Sequence, residues 1–316
     1  MPCSIPRSPA FALTLAGLLA ACAKAPEPEP LVPGLAAALA DLPAVVVEQG
    51  GETLRMERAG PHWRLPEAAW RADRRWLQPL LLGLAEARCD EPRTADPGRF
   101  ARIGVDWPPA AEASPGAAFA RPTARIRLAV AGREWAVVVG HPHPRGGTYV
   151  RVEGAAHSCL SFTDLRLPAR PGEWLDPRLW QWPPSELRTL SVEDPGQPPL
   201  RLVQREGRFL PEGALLALSP LPDALAAAAS APRQQGLRPR SELEPATGEA
   251  APVRRLRLEH ADGRRYGLAL YREGARIWAV VDEAPEAERD EFARRAFELP
   301  PDVATPLLTA LDALRG

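Results

Sequence analysis

Lysine is almost missing from this chain of 316 residues and occurs once, at Lys24. The formal net charge is −1, and no long run of one charge sign is present. Proteins that bind nucleic acid usually show a basic patch or a high isoelectric point. The sequence therefore argues against a nucleic-acid partner, and we interpret the preference for arginine over lysine as coding bias rather than phosphate recognition.

Motifs of the common catalytic chemistries are also missing. There is no Cys-x-x-Cys pair, and Ser158–Ser161 lacks the glycines of a nucleophile elbow. Gly146 and Gly147 form one pair with no helix directly after them, which is typical of a tight turn and not of a phosphate cradle. The sequence therefore predicts neither enzymatic activity nor a cofactor.

Long apolar runs are confined to the start of the chain. Arg7 precedes an apolar stretch over residues 11–21, which spans about a dozen residues where a membrane-spanning helix needs roughly 20. A basic residue followed by a short apolar run is typical of a secretory signal, so we expect residues 1–21 to be a signal peptide.

The end of that run, Leu19–Cys22, resembles the lipobox of bacterial lipoprotein precursors. The resemblance implies cleavage before Cys22, acylation of its thiol and amine, and a membrane anchor, because several acyl chains hold a protein firmly to a bilayer. It places the protein in the cell envelope, facing the periplasm. Ala23, where an aspartate would favour the inner membrane, favours the outer one. The alternative is an ordinary cleaved signal with a chance cysteine.

Two cysteines remain after the signal and the lipid site are set aside, Cys89 and Cys159. Disulfides persist in the compartment that a secretory signal predicts. Buried free thiols are the other reading, because cysteine is among the most buried residue types. The sequence leaves both open.

Residues 22–43 are predicted to be a lipidated cysteine and a tether, because proline and glutamate alternate over residues 26–30 and such composition builds no core. A short helix is expected over 35–42. The body then divides into 44–185 and 186–316.

Segments of the body recur in the same order, which indicates an internal duplication. In each copy a hairpin pattern precedes a helix and then strands with alternating apolar residues. The sequence therefore predicts an α+β fold of two tandem diverged repeats, each a β-hairpin, a helix and about three antiparallel strands, with a C-terminal helix in the second repeat. The matched pairs are 54–65 with 200–210, 125–128 with 255–258, 134–139 with 265–270, 148–152 with 275–281, and 178–185 with 295–302.

Helices are predicted over residues 68–87, where Trp70 and Trp76 share an apolar face with leucines, and over 221–229. Pro79 should kink the first helix or mark its true start. The segments 89–123 and 232–252 are rich in proline, charge and small residues, and are predicted to be mobile loops.

Several segments of the first copy share the pattern of one known family: 63–65 with the predicted helix after it, 103–109, 139–142 and 146–152. Through them the first copy resembles domain-of-unknown-function family 4340 (DUF4340). The resemblance covers roughly residues 45 to 190 well and the second copy faintly, with Ile103 where an aromatic is usual and an extra Trp107. It implies a periplasmic or membrane-anchored envelope protein, often encoded beside ABC-transporter components, and it supplies no catalytic residues.

Histidines offer the one candidate metal cluster, His141, His143 and His157, with Cys159 nearby. A zinc site needs three or four converging ligands, but this spacing matches no established metal motif. A metal-dependent hydrolase is therefore an alternative that requires these ring nitrogens to meet. A polar turn between strands explains His141 and His143 equally well.

Trp174, Trp180 and Trp182 lie at the join between the copies. They either line an exposed groove or join the two halves, and the groove would favour a periplasmic binding protein for a sugar or lipid. Arginines at 125, 127, 255 and 257 alternate with aliphatic residues, which indicates a solvated sheet face or a docking patch for an anionic partner. The favoured prediction is a non-enzymatic envelope lipoprotein that binds or scaffolds another envelope protein, accessory to an ABC-type system.

Overall fold

The computed structural model describes residues 29–108, 122–215, 219–247 and 252–315. The predicted signal peptide and the predicted lipid site, Cys22, lie outside these residues. Among the described helices, none is long and apolar enough to cross a bilayer.

The first half of the body is built on one antiparallel sheet with short helices. Its strand order is β4-β3-β2-β1-β6-β7-β8-β9-β5. The elements are α1 (Leu35–Ala38), β1 (Ala44–Gln49), β2 (Glu52–Ala59), β3 (His62–Leu65), β4 (Trp70–Arg71), α2 (Arg74–Glu86), β5 (Glu91–Pro92), α3 (Phe100–Ile103), β6 (Ala124–Val130), β7 (Arg133–Pro142), β8 (Thr148–Val152) and β9 (Cys159–Ser161).

The second half is built on another antiparallel sheet, in the order β12-β11-β10-β14-β15-β16-β17-β13. Its elements are β10 (Leu187–Glu193), β11 (Leu200–Arg205), β12 (Arg208–Pro211), α4 (Leu221–Ser230), β13 (Gly236–Pro239), α5 (Arg240–Thr247), β14 (Arg254–His260), β15 (Arg265–Glu273), β16 (Arg276–Glu283), α6 (Glu286–Phe292), β17 (Arg295–Leu299), α7 (Pro301–Leu307) and α8 (Leu311–Arg315). Helices with two antiparallel sheets confirm the α+β class.

The two sheets share one strand order once β4 is set aside. In each, three antiparallel strands precede a helix, a short strand after that helix takes the far edge, and the remaining strands fill the space between. This is the arrangement that a duplicated unit would produce, although common origin of the halves stays a prediction. The sheets are larger than expected, because β1 and β10 join the hairpins to the later strands.

Sequence predictions about local structure were wrong in three segments and at the start of α2. The segments 89–123 and 232–252 were expected to be loops, yet they contain the edge strands β5 and β13 and the helices α3 and α5. The match of 178–185 with 295–302 is one of residue type only. Residues 295–299 form β17, whereas 178–185 make no strand beyond an isolated bridge from Arg178 to Arg233.

Helix α2 begins at Arg74, later than the predicted start at residue 68. The carboxylate of Asp73 accepts the backbone N–H of Arg75 at 2.9 Å and caps the helix, which satisfies one of the free donors at its first turn. Pro79 lies inside the helix. Three α2 leucines face the first sheet and are almost fully buried: Leu77, Leu80 and Leu84.

The described chain enters the body at the C-terminal end of α2. The backbone N–H of Leu31 donates to the carbonyl of Ala87 at 2.8 Å, and Pro30 forms a bridge with Arg88. Leu31 is buried in the core of the first half, so this entry point is fixed to the body.

Trp70 joins the two halves. It lies in β4 of the first half, but its fully buried ring packs on Phe297 at 4.8 Å and on Phe292 at 5.8 Å in the second. Its indole N–H donates to the carbonyl of Asp176 at 2.8 Å. Beside it, Arg71 donates to two carbonyls of the segment that connects the halves. The cores of the two halves are therefore in direct contact.

Tyr266 lies in the core of the second half, and we expect its hydroxyl to lose its proton only at high pH. Burial, with the nearby Glu288 carboxylate, raises the pKa of Tyr266 to about 12, and its neutral hydroxyl donates to Glu288 at 3.0 Å. A free tyrosine titrates near pH 10. Because the folded pKa is the higher one, the stabilisation is complete below pH 10 and is lost as pH rises to 12.

In an ultraviolet titration at 295 nm we therefore expect a phenolate phase near pH 12 that Tyr266→Phe removes. If the substituted protein kept that phase, the assignment to Tyr266 would be wrong. Loss of stability between pH 10 and 12, followed by circular dichroism, should be smaller in the variant.

The last residue of β9 packs closely on the turn that joins β7 to β8. Gly146 and Gly147 both have positive φ, 96° and 84°. A Cβ at Gly147 would lie 2.4 Å from the carbonyl oxygen of Ser161, whereas one at Gly146 would meet nothing within 4 Å. We expect Gly147→Ala to lower the free energy of unfolding by about 2 kcal/mol and Gly146→Ala by about 1. Urea denaturation of both variants measures the difference, and equal losses would contradict the predicted contact.

Candidate functional site

A cleft of about 1200 Å³ opens where the two halves meet. This exceeds the usual volume of small-molecule sites, roughly 300–1,000 Å³. One wall comes from β2, α2 and the segment that follows β9, and the other comes from the start of the β13 region and from β17. Its charged and amide side chains are Glu52, Asp73, Arg75, Asp164, Arg166, Arg170, Glu173, Gln234, Gln235 and Glu298.

The arginines of this junction cleft are already paired. Arg166 contacts Asp164 at 2.6 Å and Arg170 contacts Glu173 at 3.1 Å. Arg75 contacts Asp73, a side chain with no exposed surface, at 2.6 Å. The hydrogen bond that Arg75 donates to the Asp73 carboxylate raises the pKa of Arg75. Each guanidinium group therefore already contacts a carboxylate of the lining, while all three arginine side chains stay more than half exposed.

Two carboxylates of the junction cleft are left over. Among the described residues, no ion pair involves Glu52 or Glu298, although an oxygen of Glu298 accepts the amide N–H of Gln235 at 3.0 Å. Glu52 is exposed and Glu298 is half-buried. The lining therefore carries an excess of negative charge, which attracts a cationic group.

The wall from the second half is rigid. Gln234 is 6 % exposed, and its amide donates to the carbonyl of Asp176 at 3.1 Å. Its backbone N–H donates to Pro177 at 2.7 Å, and that of Gln235 donates to the Glu298 carbonyl at 2.9 Å. The carboxylate of Glu298 therefore projects from backbone that is held on both sides, and such preorganisation reduces the entropy lost on binding.

The tryptophans for which the sequence left two readings, an exposed groove or a join between the halves, do not line this cleft. Trp174, Trp180 and Trp182 are 0 %, 6 % and 8 % exposed. Trp174 donates to the side chain of Gln49 at 2.7 Å, while Trp180 and Trp182 stack on each other with rings 5.4 Å apart. They pack into the cores at the join, so the groove reading was wrong. Trp76, which is half-buried, is the aromatic side chain of the lining.

The predicted histidine trio is not brought together. Within the described ranges, one group of three His, Cys, Asp or Glu ligands has its atoms within 4.8 Å of one another: Cys89, His157 and Cys159. His143 instead accepts the backbone N–H of Arg145 at 3.1 Å, in the turn between β7 and β8. The hydrolase alternative therefore has no ligand set of the kind it needs.

Cys89 and Cys159 are joined by a disulfide, with Cα atoms 5.2 Å apart. The bond links the end of α2 to β9, across 70 residues of sequence. Cys22, the predicted lipid site, lies outside the described residues.

The arginines of the sheet faces are paired as well. Arg125 contacts Glu48 at 3.2 Å and Glu153 at 2.7 Å, and Arg127 contacts Glu48 at 2.8 Å. The arginines at 255 and 257 likewise contact carboxylates, which lie on β10 and β16 of the same sheet. This internal neutralisation favours the solvated sheet face over an anion-docking patch.

No protein-family model, no curated protein and no solved structure matches this chain. The resemblance of the first copy to family 4340 therefore stays a prediction. The function is inferred from the lining of the junction cleft.

Proposed function

We propose that the protein is a non-enzymatic cell-envelope lipoprotein, anchored through Cys22, whose junction cleft binds a cationic segment of another envelope protein. The observation that supports this most strongly is that Glu52 and Glu298 have no ion-pair partner among the described residues, in a cleft whose arginines each contact another carboxylate. Association with an ABC-type system and an outer-membrane position rest on the sequence resemblances alone.

The lining favours a charged protein segment over the sugar or lipid alternative. Lipid acyl chains need an apolar cavity, whereas ten of the sixteen lining residues carry charged or amide side chains. Sugar binding was predicted from a tryptophan surface that is instead buried. A lysine or arginine side chain, or a free amino terminus, forms charge-assisted hydrogen bonds with a carboxylate such as that of Glu52 or Glu298.

The test is affinity purification from cross-linked envelopes of cells that make the tagged chain. The double variant Glu52→Gln/Glu298→Gln removes the free charges, and Glu134→Gln, an exposed glutamate of β7 outside the cleft, is the matched control. We expect the wild-type chain and the control to recover one protein partner, and the double variant to recover at least tenfold less.

Equal recovery by the double variant would exclude the cleft as the binding site. Recovery of a sugar or lipid without a protein would favour the ligand-binding alternative. A Cys22→Ala chain separates the two parts of the proposal, because it should lose the membrane anchor while its cleft is unchanged.

A further inference from the structure

The disulfide has a histidine beside it. The Nε2 atom of His157 lies 3.9 Å from the sulfur of Cys89, and the ligand atoms of Cys89, His157 and Cys159 all lie within 4.8 Å of one another. We propose that these three residues form a redox-gated site that binds a thiophilic metal ion such as Zn²⁺ when the disulfide is reduced.

The donor set and its spacing fit such an ion. Two thiolates and an imidazole are ligands that zinc favours, at about 2.3 Å for sulfur and 2.0–2.1 Å for nitrogen. Tetrahedral angles then place donor atoms about 3.5–3.8 Å apart, close to the distance already found between His157 and Cys89. The two sulfurs must separate to about the same distance, and a water molecule takes the fourth position.

The backbone holds the cysteines side by side without the disulfide. Cys159 pairs with Pro92 in the ladder of β9 and β5. Next to it, Arg93 donates to the Ser158 carbonyl at 2.8 Å and Ser158 donates to the Thr94 carbonyl at 2.9 Å. The Ser158 hydroxyl also donates to Thr94 at 3.1 Å. After reduction, the segment that follows Cys89 therefore stays hydrogen-bonded to β9 and to Ser158 before it.

The chemistry balances with a dithiol as reductant. Two electrons and two protons pass from the dithiol to the Cys89–Cys159 bond, which becomes two thiols while the reductant becomes a cyclic disulfide. Zn²⁺ then replaces the two thiol protons, which are released to solvent. Cys89 is half-buried and Cys159 is 6 % exposed, so Cys89 is the more accessible sulfur.

The test compares the full chain, purified in detergent, in its disulfide form and after reduction by dithiothreitol that is then removed without air. Competition with a chromophoric chelator measures Zn²⁺ affinity, and Co²⁺ absorption reports thiolate coordination. We expect the reduced chain to bind one Zn²⁺ at this site and the disulfide form to bind at least tenfold more weakly. His157→Ala should weaken the reduced site at least tenfold, whereas His143→Ala should leave it unchanged.

Equal Zn²⁺ affinity in the two redox forms would overturn the proposal, as would a His157→Ala chain that binds as tightly as the wild type. Circular dichroism of the reduced, metal-free chain is the second measurement. If that chain has lost its fold, the proposal also fails, because it requires the β5–β9 ladder to hold the thiols in place. The outcome is independent of the partner proposed for the junction cleft.

Discussion

Replacing Arg254 by alanine should lower the free energy of unfolding by about 3–5 kcal/mol, since removing one partner leaves the other charge buried and unpaired. Arg254, the first residue of β14, is 2 % exposed. It holds Asp194 through two contacts, at 2.7 Å from Nε and 2.6 Å from Nη2. Its remaining Nη1 donates to the carbonyls of Leu307 at 2.8 Å and Thr309 at 2.7 Å.

The substitution thus removes the partner of a largely buried carboxylate and frees two carbonyls at the end of α7. Guanidinium chloride denaturation measures the loss, and hydrogen exchange should show that α7 and α8 lose protection first. The matched control is Arg255→Ala, one residue along β14. Its guanidinium is 40 % exposed and contacts Asp282 at the surface, so we expect less than about 1 kcal/mol. Comparable losses in both variants would contradict the assignment of the stabilisation to the buried pair.

Trp70→Ala should cost about 4 kcal/mol, within the range measured when a buried aromatic is reduced to alanine. The ring is fully buried against Phe292 and Phe297, and the substitution also removes the hydrogen bond to Asp176. Because these contacts connect the cores of the two halves, the variant should also weaken their coupling.

Differential scanning calorimetry separates these effects. We expect the Trp70→Ala chain to melt in two resolved transitions, one for each half, while the wild-type chain melts in one. Trp135→Ala is the control: this half-buried ring packs against the first core and under Arg133, away from the second half. It should lower the first half's stability and keep a single transition. A Trp70→Ala chain that melts in one transition would show that other contacts carry the coupling.

Local pattern predicted much of the strand structure. The alternation of apolar residues over 125–128 and 255–258 falls inside β6 and β14, and the hairpins at 54–65 and 200–210 form as expected. The N-terminal boundary of α2 was wrong because helical spacing continues back to Trp70. In the fold, Trp70 is instead part of β4, where it pairs with Leu65 of β3. Ala69, directly before it, has a positive φ of 47°, which is not helical. Contacts across the two halves outweigh local periodicity there.

The junction cleft lay beyond sequence reasoning for a different reason. Glu52 and Glu298 are on different halves, and nothing in the residues near either of them indicates that the other is close. The sequence also does not show that these carboxylates lack an ion pair among the described residues, because that depends on which carboxylate each nearby arginine contacts. His157 was singled out as a metal ligand, but with His141 and His143. The disulfide reading already placed Cys89 beside Cys159, two residues from His157, but the sequence could not show that the His157 ring lies against these sulfurs and apart from the other two histidines.

Because the chain enters the body at the end of α2, the distance between an anchored Cys22 and that end of the body is limited. If Cys22 carries the lipid, the stretch from Cys22 to Pro30 spans at most roughly 30 Å when fully extended, and Pro30 is fixed beside Arg88. Cys89 follows directly in the chain. The disulfide end of the first half would then stay within about that distance of the bilayer surface in every orientation of the body. Enzymes or metal carriers that act on the disulfide must therefore work close to the membrane.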